Sequence, residues 1–282
     1  MRLIRDKLKS CPAPDALLFD LDGTLYRGNE RIPGAGRLIT DLQQRGMACW
    51  FVTNNSTRTA IEVAEHLHAM GIPAEKEKIV TSALAAAYYV REHYQGSRTF
   101  VIGERGLQEA LRGEGIQLLT GETEDRITAE LVVQGLDRNL TYESIRLAVK
   151  HLLGGAVFVQ TNPDRLLPVD RGFLPGAGSI GAALQAASGI EPIVIGKPSK
   201  IMMDYTLKLA GVTPARAWVI GDNPYTDLAA GRNAGCPSIL VLTGLCTADN
   251  WQEHCQAAGV EPHAVCDGPD EFAAILDEWN TK

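Results

Sequence analysis

The sequence predicts an α/β fold, a doubly wound, Rossmann-like parallel sheet with a second α/β domain inserted into it. Three observations carry that reading. Short apolar runs of strand length alternate with helical patterns, the signature of βαβ units. Several of these runs end in clusters of polar residues, and open parallel sheets bind their ligands beyond the carboxyl ends of the strands. Finally, 144 positions separate Thr53 from Lys197, more than the crossover units of one sheet require. The expected organisation is a core over 1–95, an inserted domain over 96–189 and a return to the core over 190–282.

The first run, Ala16-Leu17-Leu18-Phe19, leads into Asp20-Leu21-Asp22-Gly23-Thr24. On an extended segment, carboxylates two apart point to the same side, and two like charges beside a core need a cation to compensate them. Only 33 positions lie between Asp20 and Thr53, room for a short flap near residues 26–32 and a helix over 35–45. The second run, Ala48-Cys49-Trp50-Phe51-Val52, ends in Thr53-Asn54-Asn55-Ser56, where free backbone N–H groups can meet an anion. Helical patterns at 59–70 and 83–93 read as core crossovers. The insert shows strands at 99–102, 131–133 and 157–160 between helices at 107–114 and 142–153. Pro175-Gly176-Ala177-Gly178 and a helix over 180–187 lead back. Ile193-Val194-Ile195 then ends in Gly196-Lys197-Pro198-Ser199, with Pro198 and Ser199 suited to opening a helix. Last, Ala217-Trp218-Val219-Ile220 ends in Gly221-Asp222-Asn223-Pro224-Tyr225-Thr226-Asp227.

Taken singly, these clusters are a turn, a helix cap, a solvated lysine and an acidic loop. Four polar strand ends meeting at one crevice are not explained that way. The ordered set resembles the haloacid dehalogenase superfamily of phosphoryl-transfer enzymes, over residues 20 to about 244. The resemblance implies Asp20 as nucleophile and Asp22 as general acid/base. Thr53, Asn54, Asn55 and Lys197 would hold the phosphoryl group. A Mg²⁺ would be bound by Asp20, Asp22 (through its backbone carbonyl) and Asp222, with Asp227 as a supporting carboxylate. The position of the insert, together with Thr161-Asn162-Pro163-Asp164 and Gly196-Lys197-Pro198-Ser199, is similar to the NagD-like branch. That branch implies hydrolysis of small phosphomonoesters, among them sugar phosphates, nucleotides, phosphoglycolate, glycerol phosphate and pyridoxal phosphate. A phosphotransferase or phosphomutase would share the aspartyl-phosphate intermediate, and a phosphate-dependent regulatory protein is the non-catalytic alternative. Arg138, Asn162, Asp164, Arg165 and Leu167 are the insert candidates for meeting a leaving group, and each reads equally as a solvated loop or hinge residue.

The chain has 282 residues, 45% hydrophobic and 22% charged, with a net charge of −7. That acidic balance, with no dense basic stretch, argues against nucleic acid as the partner. The expected partner is a small phosphomonoester. A homodimer stays open. The basic start, residues 1–9, runs into Ser10-Cys11-Pro12 and not into an apolar stretch, so no secretory signal is expected. No run approaches a membrane span. Six cysteines without C-x-x-C spacing read as reduced thiols, consistent with a cytoplasmic setting. His66 and His68, two apart on a helix, read as solvated. His254, Cys255, His263 and Cys266 have spacings unlike a structural zinc site.

Overall fold

The computed structural model describes residues 7–120, 123–169 and 172–280. Residues 1–6 of the basic start lie outside them. In chain order, the buried strand β1 (Ala16–Phe19) is followed by the hairpin β2 (Tyr26–Arg27) and β3 (Glu30–Arg31), then α1 (Ala35–Gln44) and β4 (Ala48–Thr53). Helix α2 (Ala60–Ala69), β5 (Ile79–Thr81) and α3 (Ser82–His93) come next. The middle of the chain holds β6 (Thr99–Ile102), α4 (Arg105–Gly113), α5 (Thr123–Arg126), β7 (Leu131–Gln134), α6 (Tyr142–Leu153) and β8 (Val157–Gln160). It continues with the hairpin β9 (Leu166–Val169) and β10 (Gly172–Pro175), α7 (Ala177–Ser188) and β11 (Ile193–Val194). The last stretch holds α8 (Lys200–Ala210), β12 (Ala217–Gly221), α9 (Ala229–Ala234), β13 (Ser238–Val241), α10 (Trp251–Ala258), β14 (Ala264–Cys266) and α11 (Pro269–Asn280).

The chain divides into two compact units. The first comprises Met1–Thr53, Val63–Val80 and Lys197–Lys282; the second comprises Asn54–Glu62 and Thr81–Gly196. Strands of the larger sheet run in the order β14-β13-β12-β1-β4-β5. Strand β1 is parallel to both neighbours, with Phe19 opposite Ile220 on one side and Phe51 on the other. The strand order reverses at β1, which is the switch point where doubly wound sheets open a crevice. Beneath it Phe19 packs edge-on against Phe272 at 5.9 Å and beside Phe51 at 6.5 Å. Apolar residues on both faces of β1 and β12 explain why these strands read as continuous hydrophobic runs.

The second unit has its own parallel sheet, in the order β11-β8-β7-β6. Phe100, Val132, Phe158, Leu147, Leu152, Ile180 and Leu184 form its core between the sheet and helices α6 and α7. One expectation is corrected here. Ile193-Val194-Ile195 does not join the larger sheet; Ile193 pairs with Val159 and Val194 with Gln160 at the edge of the smaller one. Ile195 and Gly196 then donate N–H bonds to Gln160 and Thr161 and carry the chain past that edge. A three-residue apolar run fits either sheet, and its composition alone does not assign it.

Among the described residues no helix is long and apolar enough to cross a membrane. All six cysteines are free thiols. Phe158 is 1% exposed at the centre of the second unit, so Phe158→Ala is expected to destabilise that unit by about 3–5 kcal/mol, measured by urea denaturation.

Candidate active site

The register of β1 between β4 and β12 fixes where each acidic group emerges. Asp20 follows Phe19, and its N–H still donates to the Ile220 carbonyl at 2.8 Å. Asp222 emerges two residues after Ile220, where a single π-helical turn, Pro224–Leu228, folds Asp227 back toward the strand end. Asn223 secures that turn: its N–H donates to Asp227 Oδ2 at 3.1 Å while its Oδ1 accepts from Tyr225 N at 2.9 Å. Carboxylate oxygens of Asp20, Asp222 and Asp227 lie within 4.8 Å of one another.

Lys197 enters this group from the start of the last stretch of the first unit. Its Nζ donates to Asp20 Oδ1 at 2.5 Å, Asp227 Oδ1 at 2.7 Å and the Val52 carbonyl at 3.0 Å. The side chains of Lys197 and Asp227 are 4% and 2% exposed, and that of Asp20 13%. Just beyond, Ser199 caps α8 by accepting from Ile201 N. Burial opposes the charge on Lys197, but the carboxylates of Asp20 and Asp227 outweigh it and raise its pKa. Burial, reinforced by Asp227, pushes Asp20 well above the usual carboxylate range, against the pull of Lys197. Asp222 is pushed up to about 7, chiefly by burial and then by Asp227, with the Leu245 N–H opposing. Three carboxylates and one ammonium carry a formal charge of −2 when all are ionised, and this imbalance adds to the burial that raises the two acids.

The set suits a hard divalent cation. Its donors are all oxygens, and two glycines leave room for the Asp222 carboxylate. A Cβ at Gly23 would come within 2.5 Å of Asp222 Oδ2, and one at Gly244 within 2.0 Å. Gly23 also has φ +86°, a backbone conformation that disfavours other residues.

Asp22 stands apart from this group. Desolvation opposes its charged form more than the backbone N–H groups of Gly28 and Gly23 and the His66 ring favour it. The side chain reaches solvent, yet desolvation by its surroundings holds its pKa above the ordinary value. His66 is therefore not simply solvated: half-buried, it stacks edge-on against Tyr26 at 5.2 Å and faces Asp22. His68, exposed as expected, accepts from Ala74 N.

Thr53 closes β4 and is buried. The side chains of the next two residues are engaged structurally. Asn54 Nδ2 donates to Asp164 Oδ2 at 2.8 Å, which also accepts from Asn162 Nδ2 at 2.7 Å. Asn55 Oδ1 accepts from Thr57 N, Thr57 Oγ1 and Arg58 N. Of the insert residues placed to meet a leaving group, Arg138 is turned onto Glu104, donating through Nε and Nη2 at 2.7 and 2.6 Å. Arg165 is exposed and Leu167 half-buried. The four His and Cys residues of the carboxyl-terminal stretch form no metal-ligating group among the described residues; His254 meets the Tyr225 hydroxyl and His263 accepts from Ser238 N. Sequence reading missed Thr243-Gly244-Leu245, whose Leu245 N–H donates to Asp222 Oδ2 at 2.6 Å. The signal was present, since β13 is another apolar run ending in Thr-Gly.

Comparison with known proteins agrees with this arrangement. Residues 17–117 match the model of the haloacid dehalogenase-like hydrolases, and residues 194–271 match a second model of HAD-hydrolase-like proteins. A 5'-nucleotidase, YutF, of Bacillus subtilis is 39% identical over 81% of this chain and 87% of its own length. An acid sugar phosphatase of Staphylococcus epidermidis is 40% identical over 84% of this chain and 90% of its own. The p-nitrophenyl phosphatase of Archaeoglobus fulgidus superposes with a TM-score of 0.86 at 30% identity, covering 96% of this chain and all of that one. The chain belongs to the haloacid dehalogenase-like hydrolase family and is an enzyme of its phosphatase class.

Two outcomes follow from the electrostatics. Lys197→Met leaves Asp20 and Asp227 buried without their cation and should cost about 3–5 kcal/mol of stability, read from denaturant midpoints. In metal-free protein, folded Asp222 keeps its proton to about pH 7, whereas the unfolded chain releases it near pH 4. Folding therefore takes up a proton between those values, and stability contributed by the protonated group is lost as pH rises through that window. Asp222→Asn should flatten this part of a melting-temperature profile recorded in chelator from pH 4 to 8.

Proposed function

We propose that this protein hydrolyses small phosphomonoesters with Mg²⁺ through a phosphoenzyme on Asp20. The observation that carries the reading is the buried Asp20, Lys197, Asp227 and Asp222 group at the switch point of the sheet. Asp20 and Asp222 would hold the cation through their carboxylates and Asp22 through its backbone carbonyl. When bound, Mg²⁺ supplies the positive charge that lets a phosphate dianion approach a carboxylate.

An Asp20 carboxylate oxygen attacks phosphorus, and the bond from phosphorus to the ester oxygen breaks. Asp22, whose pKa is raised by desolvation, gives its proton to the leaving oxygen as the general acid. Water then attacks phosphorus, Asp22 takes the water's proton, and the bond to Asp20 breaks to release inorganic phosphate. Lys197 keeps Asp20 oriented and places an ammonium beside the transferring oxygens. Thr53, through its hydroxyl, and Asn54, through its main-chain N–H, would complete the phosphate cradle. The Asn54 and Asn55 amides are spent on Asp164 and on the turn at 57–58, which favours this main-chain role.

The relatives that act on nucleotides, acid sugars and aryl phosphate support a small monoester as substrate. We assign leaving-group choice to the inserted unit, because Asp20, Asp22, Lys197, Asp222 and Asp227 all belong to the other one.

The deciding experiment follows p-nitrophenyl phosphate turnover and intact mass together. Chelator should abolish turnover and Mg²⁺ restore it. Asp20→Asn should show no turnover and no adduct. Asp22→Asn should retain phosphoryl transfer to Asp20 but lack the base for the water, so it accumulates an adduct of about 80 Da after rapid quench. Full activity in Asp20→Asn, or an adduct on another residue, would remove the mechanism.

A further inference from the structure

Asp222 is held by a short loop, and the loop is held from outside the site. Leu245 N donates to Asp222 Oδ2 at 2.6 Å. Two residues earlier, Thr243 Oγ1 donates to the Gly23 carbonyl at 2.6 Å, linking the loop to the turn that follows Asp20 and Asp22. The Thr243 carbonyl in turn accepts from Arg27 Nε at 2.5 Å. Arg27 closes β2 in the flap hairpin, opposite Glu30, and is 216 positions from Thr243 in sequence. Among the described residues its guanidinium pairs with no carboxylate, so the charge-assisted bond to Thr243 is its anchoring contact.

We propose that Arg27 is a positioning residue for cation binding: through the Thr243 main chain it fixes the 243–245 loop and thereby the orientation of the Asp222 carboxylate. The inference rests on the metal-site reading above. Gly23 and Gly244 both lie close against the Asp222 carboxylate, so the loop has little room to shift before it strikes the carboxylate or releases it. Losing either the Arg27 or the Thr243 anchor frees the loop while leaving all three carboxylates in place. An ammonium at position 27 can still donate to the carbonyl, though without the planar fork.

The test measures Mn²⁺ binding directly, from the free-ion electron paramagnetic resonance signal, on the full chain and its variants. Arg27→Ala and Thr243→Val should each raise the Mn²⁺ dissociation constant about tenfold. Arg27→Lys should recover most of the loss, and KM for p-nitrophenyl phosphate at saturating Mn²⁺ should stay within about twofold of the parent. Asp222→Asn serves as the control that loses binding. If both anchor variants bind Mn²⁺ as the parent does while Asp222→Asn does not, the positioning role is overturned and the metal site stands. If the parent itself binds no Mn²⁺, both fall. Weakened binding that tracks a lower melting temperature in chelator, without recovery in Arg27→Lys, also overturns the role by assigning the effect to general instability.

Discussion

The ammonium of Lys197 is the contact around which the carboxyl end of the larger sheet is organised. It bonds to the residue following β1, to the main chain of β4 and to the loop following β12, thus joining three adjacent strands where they lose their mutual hydrogen bonds. Such a buried cation is tolerable only because all its donors are used and two carboxylates face it. The same economy makes the site incomplete by itself. One ammonium cannot balance three buried acids, and burial together with this excess raises the pKa values of Asp20 and Asp222. In the metal-site reading proposed above, a divalent ion bound here would displace protons from these two groups, which would tie metal affinity to pH.

Positions set by the sheet were legible in the sequence. Asp20, Thr53 and Asp222 follow long apolar runs, and each run is a strand of the larger sheet whose register then places the polar end. What was not legible depended on partners distant along the chain. Nothing local says that the Arg138 guanidinium meets Glu104, that Asn54 gives its amide to Asp164, or that His66 turns toward Asp22. The three-residue run before Lys197 was ambiguous for a related reason: strand pairing at a sheet edge is decided by which neighbour lies open, here β8. Asp227 is a different case. The acidic motif located it, but only the π-helical turn at 224–228 shows it bonded directly to Lys197.

The side chains of Asn54 and Asn55 show how one sequence signal can serve two ends. A polar cluster after a strand suggests ligand binding, and it equally suggests a capped turn. The structure gives the amide side chains to the second purpose. Rigid side chains around a peptide segment hold its N–H groups in one orientation, which is how backbone donors become selective for an anion.

The second unit is assembled from two stretches of chain, 54–62 and 81–196, and this matters for anyone wishing to transplant it. Cuts at 96 and 189 would appear natural from the alternation of elements. They would sever Gly106 N from the Thr57 carbonyl and Leu136 N from Ser56 Oγ, and strip away α3, which packs against α4. A chimera that keeps this unit intact must carry residues 54–62, 81–95 and 190–196 with it. Its four joints would then fall at 53/54, 62/63, 80/81 and 196/197, the outer two directly beside Thr53 and Lys197.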